Sequence, residues 1–339
     1  MLQFLTGAEV VVKAALDAGA KYFYGYPITP GTELLGLWVK EAEKNKELVF
    51  LQTEDEISAG FAALGSVLAG GAAFTATSGP GTVLMQDPLV MAEAMRVPLV
   101  IVIIQRGGPS SGTVIYSQQE VQLAIFGGNN EGRRLVYSPS NLSELYYYTY
   151  LSFVHAWQYR FPTIVLTDGY LMKTRQTVTL TPPANQMSNT PLLPLGANLH
   201  LPNIYTFEEE LFNKNLADLA DFEKMAKTVI ESETFMTEGA EEIIIAHGIV
   251  GAAAKEAVKE LRAKGQKVGL FRPITLNPFP HEALNQLAGK IKRFIIVESS
   301  LGQLERLVKN NLDKIIEIKH YLRPAMGIEV DEIVKLFYV

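Results

Sequence analysis

The 339-residue sequence predicts an α/β protein, a doubly wound parallel sheet followed by a second, smaller α/β domain. Three observations carry this expectation. Short β-branched apolar runs recur with helical stretches between them, first over 1–178 and again over 238–339. The runs are continuous rather than alternating, which is the pattern of strands buried on both faces of a parallel sheet. Hydrophobic residues make up 48% of the chain, enough to fill a large core in each of two domains.

In the first domain, strands are expected at about 21–26 (KYFYGY), 48–52 (LVFLQ), 72–77 (AAFTAT), 98–105 (PLVIVIIQ), 134–138 and 162–167 (PTIVLT). Around them GAEVVVKAALDAG, GTELLGLWVKEAEKN, EISAGFAALGSVLAGG, TVLMQDPLVMAEAMR and NLSELYYYTYLSFVHAWQ are helical in period. Several of these begin at Ser, Thr or Asp and stop at Gly. Such strand–helix alternation selects a doubly wound arrangement. The pattern breaks over 179–237, where a Pro-, Asn- and Thr-rich stretch reads as a long surface connection. The charged segment FEEELFNKNLADLADFEKMAKTVIESE then reads as a helix packed on a neighbour. Alternation resumes in the order EIIIAHG, IVGAAAKEAVKELRAKG, KVGLF, HEALNQLAG, RFIIVES, GQLERLVKNN and KIIEIK, strand first and strand last. No tandem repeat of short period is present.

Composition excludes several function classes. A net charge of −6 gives no basic footprint for nucleic acid. The sequence has no cysteine, so disulfides, thiolate metal sites, iron–sulfur ligation by these residues and a cysteine nucleophile are excluded. His155, His200, His247, His281 and His320 lack metal-ligand spacing and read as ordinary surface or core histidines. The amino-terminal residues lack the features of a signal peptide, and apolar runs such as VPLVIVII are too short to span a bilayer. The expectation is a soluble, cytoplasmic protein.

Ligands in open α/β sheets bind where the strands end at their carboxyl edge. Five stretches of the first domain are placed for this. In YPITPG, Pro27 and Pro30 hold Ile28 and Thr29 extended, either as a plain turn with Thr29 or Thr32 capping a helix or as the wall of a site. In QTEDEISAGFAALG, Glu54, Asp55 and Glu56 open an Ala- and Gly-rich helix. They serve as ordinary caps, or one of them is a partly buried acid with a raised pKa. TSGPGT offers Gly79 and Gly81 for close backbone approach without forming a Walker A motif or a dinucleotide fingerprint. QRGGPSSG ends the most apolar strand with Arg106, a cation that calls for an anionic partner. FGGNNEG reads as a polar loop at the same edge. A serine hydrolase is a poor reading, because no G-x-S-x-G elbow is present and no histidine is placed to serve one.

Taken in order, YPITP, QTEDEISA, TATSGPG with LMQDPLVMAEAMRVPLVIV, RGGPSSG and, in the second domain, AKEAVKELRAKGQKVGLFRPITLNPFP and FIIVESSLGQL resemble the alpha subunit of the 2-oxoacid:ferredoxin oxidoreductases. The resemblance covers nearly the whole chain outside the connection. It implies a pyrimidine-binding thiamine diphosphate domain over 1–178, a linker with connecting helices over 179–237 and a transketolase C-terminal-like domain over 238–339. Glu56 matches the family glutamate that hydrogen-bonds N1′ of the aminopyrimidine. Thr29 matches a substrate-contacting threonine, and Arg106 an arginine near the substrate carboxylate or the second substrate. Tyr26, Pro27, Ile28 and Gly79 would line the cofactor.

The resemblance further implies CoA-dependent oxidative decarboxylation of a 2-oxoacid with reduction of ferredoxin, as in anaerobic metabolism. It places Mg²⁺, the diphosphate site and a [4Fe–4S] cluster on a beta subunit, with gamma and ferredoxin-like delta subunits as further partners. The chain departs from relatives in the Gly-Thr after YPITP, in GGPSSGTVIYSQQEVQ and in FGGNNEG, stretches expected to line the substrate pocket. The acid is therefore open among 2-oxoglutarate, pyruvate and branched-chain oxoacids. A non-oxidative transketolase-type subunit and a non-catalytic structural subunit are the alternative readings.

Overall fold

The computed structural model of the chain describes residues 2–188, 192–193 and 200–338. Part of the long connection expected within 179–237 thus lies outside the described residues. The strands in chain order are β1 (Leu2–Thr6), β2 (Tyr22–Gly25), β3 (Val49–Gln52), β4 (Ala73–Thr77), β5 (Val100–Gln105), β6 (Leu135–Tyr137) and β7 (Thr163–Asp168). They continue with β8 (Arg175–Thr179), β9 (Ser232–Phe235), β10 (Glu242–Ile245), β11 (Val268–Pro273), β12 (Thr275–Asn277), β13 (Arg293–Glu298) and β14 (Glu317–Leu322).

The first sheet has seven strands in the order β12-β6-β7-β5-β4-β2-β3. All are parallel except β12, which runs antiparallel to β6. From β2 the chain steps outward to β3, returns past β2 to β4, and continues through β5. The order reverses between β2 and β4, so the connections leaving their carboxyl ends run to opposite sides, the place where open α/β sheets bind ligands.

Burial explains why these segments are strands. Every residue of β4, β5 and β7 is buried, as continuous apolar runs demand when helices cover both faces. On one face an aromatic cluster fills the layer, with ring centroids of Phe23 and Phe74 4.7 Å apart and those of Trp38 and Phe74 5.2 Å apart. Phe153, from helix Leu142–Tyr159, meets Phe74 edge-on at 5.7 Å. On the other face, helix Glu56–Leu68 lies so close to Pro88 and Met85 that a methyl group at Gly60 would overlap both.

Three features differ from the sequence reading. Strand β3 is not buried on both faces: all four of its residues are exposed, Val49, Phe50 and Leu51 by 41–50%. Its apolar run is that of a buried strand, but it ends the sheet and nothing covers it among the described residues. Strands β1 and β8 pair antiparallel in a small separate sheet. LQFLT and RQTVT are too short and mixed in polarity to have been read as strands. Finally, β9 lies in a segment read as connection, yet it joins the second sheet antiparallel to β11. The charged helix Glu208–Val229 forms as expected and seats Phe222 against Phe161, with Asp218 bonded to Arg96 at 2.9 Å.

The second sheet has the order β14-β13-β10-β11-β9, parallel except for β9. Polar contacts bind it to the first. Gln118 donates its backbone N–H to Ser299 O and accepts the Ser299 N–H on its side chain, each at 3.0 Å. Ser138 Oγ meets His247 Nδ1 at 2.8 Å, while within the first sheet Asn277 on β12 donates to the Gly132 and Arg134 carbonyls at 2.6 Å. Arg272 grips Glu144 with two nitrogens at 2.7 and 3.0 Å and Glu233 with a third at 2.9 Å. No helix among the described residues is long and apolar enough to cross a membrane.

Arg272 is 2% exposed, so removing its charge strands two half-buried carboxylates. Arg272→Met is expected to destabilise the chain by about 3 kcal/mol, the scale of a broken buried ion pair. A denaturant midpoint that does not move would show that this cluster contributes little to holding the sheets together.

Candidate active site

The site forms where β2, β3, β4 and β5 end. After β3, Asp55 accepts the Ser58 N–H on Oδ1 at 2.7 Å and so fills the cap of helix Glu56–Leu68. Capping and burial, which the sequence left as alternatives for the acidic triplet, are thereby divided between neighbours. Glu54 is exposed, and Glu56 turns inward and is 4% exposed. Its carboxyl lies over the backbone of Gly81, where a methyl group would overlap both Glu56 Oε1 and Thr77 Oγ1. Burial raises the Glu56 pKa, and the Asp55 charge adds to the rise. Its own backbone N–H and the Arg106 guanidinium act in the opposite direction.

After β2, Tyr26, Pro27 and Thr29 are exposed and Ile28 is half-buried. Neither Thr29 nor Thr32 caps the next helix, which starts from Gly31 without a side-chain cap. Thr29 instead accepts a hydrogen bond on its carbonyl oxygen from Arg106 Nη1 at 2.7 Å. After β5, Arg106 is 6% exposed, and its buried Nε has no partner among the described residues. No carboxylate of those residues is within ion-pairing distance of this guanidinium, although both Glu56 and Glu120 feel its charge.

After β4, Gly79 adopts φ +56°, and a Cβ there would come within 2.5 Å of Arg106 Nε. Glycine is required on both counts: the backbone conformation disfavours a side chain, and Arg106 occupies its space. The buried hydroxyls of Thr77 and Ser78 have no hydrogen-bond partner among the described residues. Partnerless buried polar groups beside a buried acid mark a place for a ligand. Tyr26, Val83, Leu84, Val114 and Ile115 surround these strand ends and are 37–59% exposed, an apolar rim of the kind that marks an interface.

The structure thus brings Thr29, Glu56, Gly79 and Arg106 together from four separate loops. It does not bring FGGNNEG to them. That loop precedes β6, which runs parallel to β7, and so enters the sheet from its amino edge, opposite the site. There it is pinned, with Gly127 O accepting from Arg134 Nη2 at 2.7 Å and Glu131 N–H bonding to Glu93 at 3.1 Å. Glu120, in the SQQE stretch expected to line the pocket but not named as a site residue, is buried at these strand ends with its pKa pushed up to about 7 by burial.

Comparison with known proteins decides the family. The family model for the pyruvate flavodoxin/ferredoxin oxidoreductase thiamine diphosphate-binding domain matches residues 13–237. That for the pyruvate:ferredoxin oxidoreductase core domain II matches residues 240–331. The chain belongs to the 2-oxoacid:ferredoxin oxidoreductase family, as an alpha-type subunit. The chain is 31% identical to 2-oxoglutarate synthase subunit KorA of Methanocaldococcus jannaschii, over 94% of its length and 93% of the relative. It is 35% identical to ketoisovalerate oxidoreductase subunit VorB of Methanothermobacter marburgensis, over 91% and 89%. Among solved structures, 2-oxoglutarate:ferredoxin oxidoreductase from Magnetococcus marinus, with 2-oxoglutarate, coenzyme A and succinyl-CoA bound, superimposes with a TM-score of 0.88 at 26% identity. The match covers 99% of this chain and 65% of that one, so the chain spans about two thirds of that structure's length. A split gene transketolase, at 16% identity and a TM-score of 0.63, shares the fold. The fold class read from this oxidoreductase subunit's sequence stands: a thiamine diphosphate-binding α/β domain followed by a second α/β domain.

A third buried acid, after Glu56 and Glu120, borders the site. Asp168, at the end of β7, caps helix Gly169–Lys173 through Leu171 N–H at 2.9 Å, and burial raises its pKa to about 7. Asp168 and Glu120 bind protons in the folded state that the unfolded chain releases above its ordinary carboxylate pKa. The stability these two carboxyls contribute therefore falls as pH rises from about 4 through 7 and levels off above that. Asp168→Asn keeps the cap and removes one ionisation. It is expected to flatten this decline by up to about 3 kcal/mol, read as the unfolding midpoint at pH 5 against pH 8. An unchanged slope would show that the fold does not raise the Asp168 pKa, the carboxyl being already ionised at pH 5.

Proposed function

We propose that the chain is the alpha subunit of an enzyme that oxidatively decarboxylates a 2-oxoacid in the cytoplasm. With coenzyme A the products are acyl-CoA and carbon dioxide, and the electrons pass to ferredoxin. The observation that carries this reading is a buried Glu56 carboxyl facing a buried Arg106 guanidinium that has no ion-pair partner among the described residues. One is an acid tuned upward in pKa, and the other is a cation awaiting an anion.

The residues fit thiamine diphosphate. A carboxyl whose pKa burial raises suits hydrogen bonding to an aminopyrimidine nitrogen, and Glu56 would hold that ring. Tyr26, Pro27, Ile28, Thr29 and Gly79 would line it, with the free Thr77 and Ser78 hydroxyls available to its polar edge. Bound thiamine diphosphate supplies the carbon nucleophile for the oxo group and the sink for the electron pair left by carbon dioxide. Arg106 would receive the substrate carboxylate, oriented by its bond to the Thr29 carbonyl. In this reading residues 1–178 carry the pyrimidine side, 179–237 connect, and 238–339 form the transketolase C-terminal-like domain.

A partner chain follows from the same chemistry. These 339 residues contain no cysteine, so a [4Fe–4S] cluster needs thiolates from a beta subunit, which would also hold Mg²⁺ and the diphosphate. The exposed apolar rim around the strand ends is the surface such a subunit would cover. Gamma and ferredoxin-like delta subunits are further candidates. Relatives named for 2-oxoglutarate and for ketoisovalerate stand at 31% and 35% identity. The acid stays open among 2-oxoglutarate, pyruvate and branched-chain oxoacids, and these relatives support the first and the last.

The complex purified anaerobically and supplied with thiamine diphosphate, Mg²⁺ and coenzyme A should reduce a low-potential viologen with one of these acids. The reduction should be lost without coenzyme A. A cysteine-free partner would point to transketolase-type chemistry, and an intact cluster-bearing complex inert toward every acid would point to a structural subunit. Glu56→Gln should lower turnover by about a thousandfold while leaving the complex assembled, and surviving activity would remove Glu56 from this role. Arg106→Ala should raise the KM for the 2-oxoacid at least about tenfold, the scale of one lost charge-assisted hydrogen bond.

A further inference from the structure

Glu120 sits one residue before helix Val121–Phe126 and is 4% exposed. Its Oε1 accepts two backbone N–H groups, that of Gly79 at 2.7 Å and that of Arg106 at 3.2 Å. Its Oε2 accepts the Thr82 hydroxyl at 2.7 Å. One carboxyl thus binds the turn after β4, the first residue after β5 and the helix Pro80–Leu84. The Arg106 side chain then lies across Gly79 and reaches the Thr29 carbonyl after β2. The three loops at the switch point have no other common tie among the contacts described for Gly79, Thr82 and Arg106.

We propose that Glu120 is a positioning residue, a fork that fixes the main chain of Gly79 against that of Arg106 and so places the guanidinium for the substrate carboxylate. This rests on the reading of Arg106 as the receiver of that carboxylate. The fork works by shape. A glutamine has one oxygen for both backbone donors, and its NH₂ can donate to Thr82 once that hydroxyl turns round. An aspartate is one methylene too short to span the same three groups, and an alanine leaves two buried N–H groups unbonded.

The test uses the complete complex with thiamine diphosphate and measures kcat and KM for the 2-oxoacid in Glu120→Ala, Glu120→Asp and Glu120→Gln, with Arg106→Ala as reference. Glu120→Ala and Glu120→Asp are expected to raise KM at least about tenfold, as Arg106→Ala does. Glu120→Gln should return KM to near the parent value. Adding Glu120→Asp to Arg106→Ala should raise KM little further, because both act through one guanidinium. Should the alanine variant fail to assemble, the aspartate and glutamine pair carries the same comparison. An unchanged KM in Glu120→Asp, or a glutamine variant as impaired as the aspartate one, overturns the proposal. An unchanged KM in Arg106→Ala overturns the reading of Arg106 and this proposal with it, whereas a raised KM there with unaffected Glu120 variants overturns this proposal alone.

Discussion

Taking a carboxylate out of water costs several kcal/mol unless something compensates, and the first domain is built around one such group. Glu56 is the first residue of a helix whose cap is already filled by Asp55, so it is not needed at the helix end and can turn inward. The turn inward is possible because the facing chain carries glycine at 81 and the helix carries glycine at 60 where it meets Pro88. No ion pair neutralises the carboxyl among the described residues, so its proton affinity rises instead. Backbone conformation, small residues and acid strength are thus one arrangement.

The same economy governs Arg106. A guanidinium so deeply buried normally ends on a carboxylate, as Arg272 does on Glu144 and Glu233 and Arg134 does on Glu93. Arg106 is bonded instead to a backbone carbonyl. Two arginines hold the fold together by satisfying their charge, and a third keeps its charge available beside the reversal of strand order between β2 and β4. This contrast separates structural from ligand-facing cations more sharply than burial does.

Much of this was legible in the sequence, for identifiable reasons. Buried parallel strands such as VIVIIQ and TIVLTD have no polar alternation and therefore announce themselves, and Gly and Pro mark their ends. The positions of Glu56, Thr29, Gly79 and Arg106 at strand ends followed from that frame. What was not legible depends on the partner of a segment rather than on the segment. VFLQ has the composition of a buried strand and lies at the sheet's edge. LQFLT becomes a strand because RQTVT, far along the chain, is there to pair with it. FGGNNEG looks like a site loop, but the direction of β6 carries it to the other edge. The stretch holding Glu120 was expected at the pocket, but the role of Glu120 within it was not legible, because its partners are mainly backbone N–H groups, which no residue letter records.

The uncovered edge at β3 has a consequence for how such a molecule behaves in solution. An outermost strand offers a row of unpaired backbone donors and acceptors, and natural sheets usually blunt it with lysine, proline or a bulge. Here the edge reads Val, Phe, Leu, Gln, four residues all open to water and without a charge. Such a ribbon is adhesive to any extended chain. The colloidal behaviour of the isolated polypeptide, and the concentration at which it stays monodisperse, will be set by this short strip more than by its net charge of −6.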